Sequence, residues 1–264
     1  MKYNEDSRAF ASFSGTCPYK CLHCYTFSEE FVSKGKDDIK SIINELNSKE
    51  KFNIVYISGY KENFVNPSKG LSLLEAIFDN FCCDILVTTR SVFDENNLNR
   101  LFALNDRMRR NGNQLYFCVS IPAYESYQLL EPNPIIPTPR ERLSFLKKIH
   151  IGRINTILTI RPLCPNEFIP ISESIRLINE INGYCSAIIS SGIVVDDSIL
   201  SKLNEFPNKF DYEEKKLMNC LENNIIVKYV NVKKELGQIE IACKNVGIPF
   251  FQNSLPAINY ISNL

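Results

Sequence analysis

Three closely spaced cysteines are the part of this chain best equipped for chemistry. They are Cys17, Cys21 and Cys24, in the run Gly15-Thr-Cys-Pro-Tyr-Lys-Cys-Leu-His-Cys-Tyr25. A cubane iron–sulfur cluster takes one thiolate per iron and usually four in all. This loop offers three and no obvious fourth, so one iron of such a cluster would stay open to a small molecule. Two other uses of the thiols compete. With His23 as a fourth ligand the cysteines could hold zinc. However, Cys21, His23 and Cys24 are crowded for one tetrahedron, and structural zinc sites usually pair two separated knuckles. No second C-x2-C and no H-x3-H follows in the sequence. A disulfide suits the loop less well still, because three is odd and a short loop strains the bond.

The elements around this loop read as repeated βα units. Short β-branched or apolar runs alternate with segments of helical period, the pattern of a parallel sheet covered by helices. Ala9–Ser14 alternates and predicts a first strand that leads straight into the cysteines. Ile39, Ile42, Ile43 and Leu46 then fall at helical spacing. Asn53–Ile57 reads as strand two, Asp84–Thr88 as strand three and Leu115–Ser120 as strand four, with helical stripes between them (Leu74, Ile77, Phe78, Phe81; then Leu98, Leu101, Phe102, Met108). Thr138, Pro139 and Glu141 form a capping-box start for helix four. Thr156–Arg161 reads as strand five, stopped by Pro162. Ile175, Ile178 and Ile181 mark helix five, with Gly183 past its end. Ser186–Ser190 is strand six.

Six such units by about residue 200 predict a partial (β/α)6 barrel, since a full eight-unit barrel typically takes ~250 residues for its repeats. The remaining residues predict a C-terminal α/β elaboration. Asp211–Glu214 looks like a capping box before a helix carrying Leu217, Met218 and Leu221. Ile225–Val230 reads as a strand. Val232, Leu236, Ile239 and Cys243 mark a helix that Gly247 ends, and Ile248–Phe251 reads as an edge strand. Residues 1–200 are expected to form the core, and residues 201–264 an extension packed on it within one domain.

Composition narrows the partners. The chain has 264 residues, 44% of them hydrophobic, with 30 basic and 30 acidic side chains. Zero net charge argues against a general polyanion binder. The basic groups Arg107, Arg109 and Arg110, and Lys147, Lys148, His150 and Arg153, read as solvated helix faces. Residues Met1 to Asp6 are polar and suggest no signal peptide. No apolar run is long enough to span a membrane. The ten cysteines are therefore expected to be reduced in a cytoplasmic setting. Cys82, Cys83, Cys164, Cys185, Cys220 and Cys243 show no metal-ligand spacing, which leaves open a second cluster assembled from distant positions.

The cysteine run resembles the C-x3-C-x-Φ-C loop of radical S-adenosylmethionine (radical SAM) enzymes, with His23 at the usually aromatic Φ position. The resemblance implies a four-iron four-sulfur cluster whose open iron binds SAM and whose electron cleaves it to a 5′-deoxyadenosyl radical. It also implies a reductant protein such as flavodoxin or ferredoxin. Ser58-Gly59-Tyr60 stands where the family has a Gly-Gly-Glu turn for the SAM ammonium, with the acidic residue displaced to Glu62. Thr88-Thr89-Arg90-Ser91 is similar to the end of strand three in the spore photoproduct lyase-like branch, which makes Arg90 the expected partner of the SAM carboxylate. Ser120 stands where the family puts a polar group on the ribose.

Leu130-Glu-Pro132, Arg142-Leu143 and Arg161-Pro-Leu-Cys-Pro165 resemble the same branch. Strand two lacks the cysteine donor that photoproduct lyases carry nearby, so thymine-dimer repair is not expected, nor is duplex DNA binding. Strand parity instead places Tyr116, Cys118 and Ser120 on one face, with Thr159 and Arg161 on another strand's equivalent face. That makes Cys118 a candidate hydrogen donor and Arg161 a candidate for binding an anionic group of a small-molecule, nucleotide or peptide substrate. Two further readings stay open. One is a non-catalytic cluster or zinc protein with a regulatory role. The other is a catalytic core whose substrate arrives on a partner protein.

Overall fold

The computed structural model describes residues 2–24, 35–49, 51–57, 61–216 and 226–264. Six strands alternate with helices in the expected order: β1 (Arg8–Ala11), α1 (Ile39–Asn47), β2 (Ile54–Ile57), α2 (Pro67–Phe81), β3 (Asp84–Thr89), α3 (Glu95–Arg110), β4 (Leu115–Ser120), α4 (Pro139–Ile151), β5 (Asn155–Leu163), α5 (Ile171–Glu180) and β6 (Ala187–Gly192). All pair in parallel, each with the next. The helices start where their side chains satisfy the free N–H groups of the first turn. Asp38, Asn66 and Asp94 accept from Ser41, Lys69 and Asn97 respectively. Thr138 and Glu141 form the reciprocal capping box.

Beyond β6 the chain forms β7 (Val194–Val195), α6 (Asp197–Leu200), β8 (Tyr212–Lys216), β9 (Ile226–Val230), α7 (Lys233–Val246), β10 (Phe250–Phe251) and α8 (Ser254–Ile261). β10 pairs in parallel with β6 and makes a seventh strand at the edge, in the order β1-β2-β3-β4-β5-β6-β10. β7, β9 and β8 make a separate antiparallel ribbon.

Two expectations change, and one helix was not anticipated. Tyr212–Lys216 is a strand and not a helix start, because β9 offers it a full antiparallel ladder that outweighs a weak local capping signal. The stripe Leu217, Met218 and Leu221 lies outside the described residues. Strand five runs through Pro162 to Leu163. The register against β6 shifts between Ile160 and Leu163, and such an irregularity lets a residue without an N–H sit in a strand. Finally, α8 carries no periodic stripe long enough to be read from sequence, yet it packs into the inner core.

The sheet separates two cores. Helix-facing side chains such as Val55, Val87, Phe117, Val119 and Leu158 join the larger one. Residues of the opposite parity, among them Ile54, Tyr56, Leu86, Tyr116, Cys118, Ile157 and Ile189, form the inner one. Ala257, Ile258 and Ile261 of α8 pack into that inner core. Tyr3 enters it from below. Its backbone N–H donates to Asn259 Oδ1 at 2.9 Å, and its carbonyl accepts from Asn259 Nδ2 at 2.9 Å. The Tyr3 hydroxyl donates to Asp84 and lies 3.1 Å from the Tyr116 hydroxyl. Among the described residues, no helix is long and apolar enough to cross a membrane.

Candidate metal centre

The cysteine loop leaves the C-terminal end of β1, the end of a parallel sheet where loops of successive units converge. Cys21 is buried with Tyr19 and Ile136, and Cys17 and Cys24 pack against that cluster. The loop is pinned to the segment that follows β4: Leu22 N–H donates to the Leu130 carbonyl at 2.9 Å, and Asn133 Nδ2 to the Pro18 carbonyl at 2.9 Å. Tyr19 shares a hydrogen bond of 2.7 Å with Ser91 at the end of β3. Three strand ends thus hold one loop.

A chain of buried charge lies under the loop. Arg90, just past β3, donates from Nε to Glu131 Oε1 at 2.5 Å. Glu131 Oε2 accepts from Arg142 Nη2 at 2.7 Å, and Arg142 Nη1 donates to the Ser120 carbonyl at 2.6 Å. Arg142 and Glu131 are wholly buried. Arg90 also lies 3.2 Å, through Nη2, from His23 Nε2. Burial alone would raise the Glu131 carboxyl, but the two guanidinium groups overcome it and hold the pKa at about 2. Burial, aided by Arg90, lowers His23 to about 3, so its ring is neutral. Glu62 ties the turn after β2 to β3. It accepts from Phe64 N–H, Thr89 Oγ1 and Arg90 N–H at 2.9, 2.8 and 2.8 Å. Burial pushes its carboxyl up against those hydrogen bonds. Gly70 makes room for this turn: a Cβ there would stand 2.3 Å from the ring of Phe64.

Donor spacing separates the candidate metals. Two thiolates on one zinc can be no more than about 4.6 Å apart, twice a Zn–S bond. Cys17, Cys21 and Cys24 together are not among the groups of described residues whose donor atoms all lie within 4.8 Å of one another. Among the described residues, the group whose donor atoms lie within 4.8 Å of one another is Cys21, His23 and Glu131. There the Arg90 cation already engages the imidazole and the carboxylate, which opposes a second cation. Thiols spread around one loop with an orphaned buried imidazole nitrogen, His23 Nδ1, fit a polynuclear cluster better than a single ion. Burial pushes Cys21 up to about 12 despite the pull of Arg90. A ligating iron would stabilise its thiolate.

The other expected residues fall as follows. Ser58, Gly59 and Tyr60 lie outside the described residues. Arg90 stands at the mouth, but its Nε–Nη2 edge is engaged by Glu131 and His23. Ser120 is buried at the end of β4, on the same strand face as Cys118. Cys118 sits in the inner core, where burial pushes its thiol up to about 12 while Thr159, Arg161 and Thr88 pull the other way. Arg161 lies at the rim of β5 and donates from Nη2 to the Gln252 carbonyl in the turn before α8.

Sequence reasoning gave no role to Glu131 or Arg142, although a signal existed for one of them. Arg142 occupies an apolar-face position of α4 together with Leu143, Leu146 and Ile149, and a charge at such a position implies a buried partner. Among the described residues, no second cluster of metal donors accompanies the remaining cysteines.

No family model matches the chain, and no curated protein matches it. Its fold is similar to that of a radical SAM methyltransferase from Sphaerobacter thermophilus, with a TM-score of 0.57 and 11% identity over 95% of this chain and 67% of that one. It is also similar to Streptococcus suis SuiB bound to S-adenosylmethionine, with a TM-score of 0.55 and 11% identity over 94% of this chain. The chain spans 47% of the length of SuiB. At this identity the likeness establishes the fold, an α/β partial barrel of the radical SAM type.

Proposed function

We propose that this chain is a radical SAM enzyme. The observation that carries the reading is a loop bearing Cys17, Cys21 and Cys24 at the C-terminal mouth of a partial barrel whose fold is similar to that of a radical SAM methyltransferase and of a protein bound to S-adenosylmethionine. These cysteines would hold a four-iron four-sulfur cluster with one open iron. When bound, the cluster supplies the electron that cleaves SAM to a 5′-deoxyadenosyl radical and methionine, which sets a hydrogen abstraction in motion.

The chain's own groups bind, orient and exclude water. Ser120 at the end of β4, and Ser58, Gly59 and Tyr60, are the candidates for the ribose and ammonium of SAM. Arg90 is the candidate cation for the SAM carboxylate. The inner core below is largely apolar and covered by α8, so a substrate enters from the mouth. Cys118 lies under that mouth as a protonated thiol, the form that can give up a hydrogen atom. Arg161 at the rim offers a positive charge to an anionic substrate group. The strings at residues 88–91, 130–132 and 161–165 favour the spore photoproduct lyase-like branch, with a small-molecule, nucleotide or peptide substrate in place of duplex DNA. A flavodoxin- or ferredoxin-like protein would supply the electron.

The test is anaerobic reconstitution with iron and sulfide, reduction, and mass spectrometry for 5′-deoxyadenosine in the presence of SAM. Formation of 5′-deoxyadenosine that disappears when the three cysteines are replaced supports the reading. One zinc, no iron and no SAM cleavage would instead favour a binding protein. Duplex DNA binding tighter than micromolar at physiological salt, falling steeply as salt rises, would return the substrate to nucleic acid.

A further inference from the structure

We propose that His23 donates a hydrogen bond from Nδ1 to a sulfur of the cluster, and that Arg90 and Glu131 are positioning residues that decide which ring nitrogen carries the proton. This rests on the reading that Cys17, Cys21 and Cys24 hold a cluster.

A guanidinium has only donors. Arg90 Nη2 lies 3.2 Å from His23 Nε2, so Nε2 must accept and the neutral ring carries its hydrogen on Nδ1. Arg90 is not free to turn away and release the ring. Its Nε is held by Glu131 at 2.5 Å, Glu131 is held by Arg142 at 2.7 Å, and Arg142 is held by the Ser120 carbonyl at 2.6 Å. The backbone N–H of Arg90 is separately bound to Glu62 at 2.8 Å. The tautomer of one imidazole is therefore fixed by a rod of charge that ends on the backbone of β4.

Nδ1 itself is buried and makes no hydrogen bond with the protein. A buried donor left unmade is costly, and native structures rarely keep one without a reason. The Leu130 carbonyl lies near the ring and receives the Leu22 N–H at 2.9 Å, but it does not stand in hydrogen-bonding geometry to Nδ1. The imidazole lies between two of the three thiols in sequence, and one of its ring nitrogens is within 4.8 Å of Cys21 Sγ. A thiolate or sulfide carrying negative charge is the acceptor that suits this donor. A phenyl or alkyl group at position 23 could pack there but could not donate.

A hydrogen bond to cluster sulfur stabilises the more negative, reduced state, so it raises the reduction potential. The experiment uses anaerobically reconstituted full chain and two readouts. The first is pulsed electron paramagnetic resonance of the reduced cluster in wild type grown with and without 15N-histidine, in H2O and D2O. It is expected to show a histidine nitrogen and an exchangeable hydron coupled to the cluster, both absent in His23→Phe. The second is the midpoint potential. His23→Phe and Arg90→Met are expected to lie below wild type at equal iron content, with His23→Asn, which keeps an amide donor near the Nδ1 position, recovering part of the difference.

Equal potentials in wild type and His23→Phe would overturn the proposal. So would a wild-type cluster with no histidine coupling, which would assign the Nδ1 hydrogen to the Leu130 carbonyl. If His23→Phe fails to hold iron, the wild-type coupling decides alone. Wild type that binds no iron would overturn the radical SAM reading itself, and this is seen before any variant is compared.

Discussion

The two ends of this barrel are built from different chemistry. At the base, Tyr3, Asp84, Tyr116 and Asn259 form a network around a largely apolar plug, and the first strand's approach is tied to the last helix. At the mouth, four buried ionisable groups, His23, Glu62, Glu131 and Arg142, crowd around the partly buried Arg90. The base joins segments that must not move. The mouth spends buried charge, which is expensive to desolvate and rarely stabilises a fold better than apolar packing would. Charge kept in such a place points to a requirement other than stability, and here it lies directly under the cysteine loop.

The largest expected effect separates the ends cleanly. Replacing Cys17, Cys21 and Cys24 together with alanine should remove all iron and its visible absorbance from a protein that otherwise binds about four irons per chain. Iron analysis of anaerobic protein checks this. Full iron in the triple variant would mean that the mouth is not the metal end.

Next comes the charge rod. Glu131→Gln leaves two arginines facing each other without their carboxylate, a loss expected to cost about 3–5 kcal/mol. Denaturant unfolding of the iron-free protein measures it. The same carboxylate has a pH signature. Its folded pKa, about 2, lies below the ordinary value, so its contribution is complete above about pH 4.5 and is lost as pH falls toward 2. The Glu131→Gln variant should show a shallower acid limb than wild type across that window. An unchanged limb would mean that the ion pairs do not hold in solution.

Smaller effects belong to the base. Tyr3→Phe removes the hydroxyl that meets Asp84 and Tyr116 and should cost about 1–3 kcal/mol, with iron content unchanged. A change in iron content would show that the two ends are coupled. Smallest of all, Ser120→Ala should weaken SAM binding by about 0.5–1.5 kcal/mol, read by calorimetry on reconstituted protein. Unchanged affinity would remove Ser120 from the cofactor site.

What the sequence disclosed follows the same division. The βα order was legible because each strand carries a run of apolar residues and most helices carry a clear stripe and cap. β4 falls at Leu115–Ser120 as read, and the capping box at Thr138 forms. The cysteine loop was legible because spacing alone restricts what three thiols can hold. The rod of charge was not, because its members come from four separated segments and only the fold brings them together. Glu131 lies in a loop with no period, and Arg90 looked free to meet a ligand until its carboxylate partner was placed. β8 was misread for a related reason. Its Tyr-Glu-Glu-Lys-Lys run has weak local preference, and the distant β9 decides its state.

The hydrogen bonds between Tyr3 and Asn259 also bear on how the molecule is made. They span 256 positions, so closing them costs chain entropy before any contact is gained. The inner face of the sheet, with Tyr56, Leu86, Ile157 and Ile189, has no cover until α8 has been synthesised. During translation the six central strands can pair and their helices can pack outside, while the lumen stays wet. Long-range pairing of this kind slows folding and exposes intermediates. A ribosome stalled before residue 254 should therefore carry a chain with a formed outer layer and a protease-sensitive interior, a state in which the cysteines are already present and the barrel beneath them is still open.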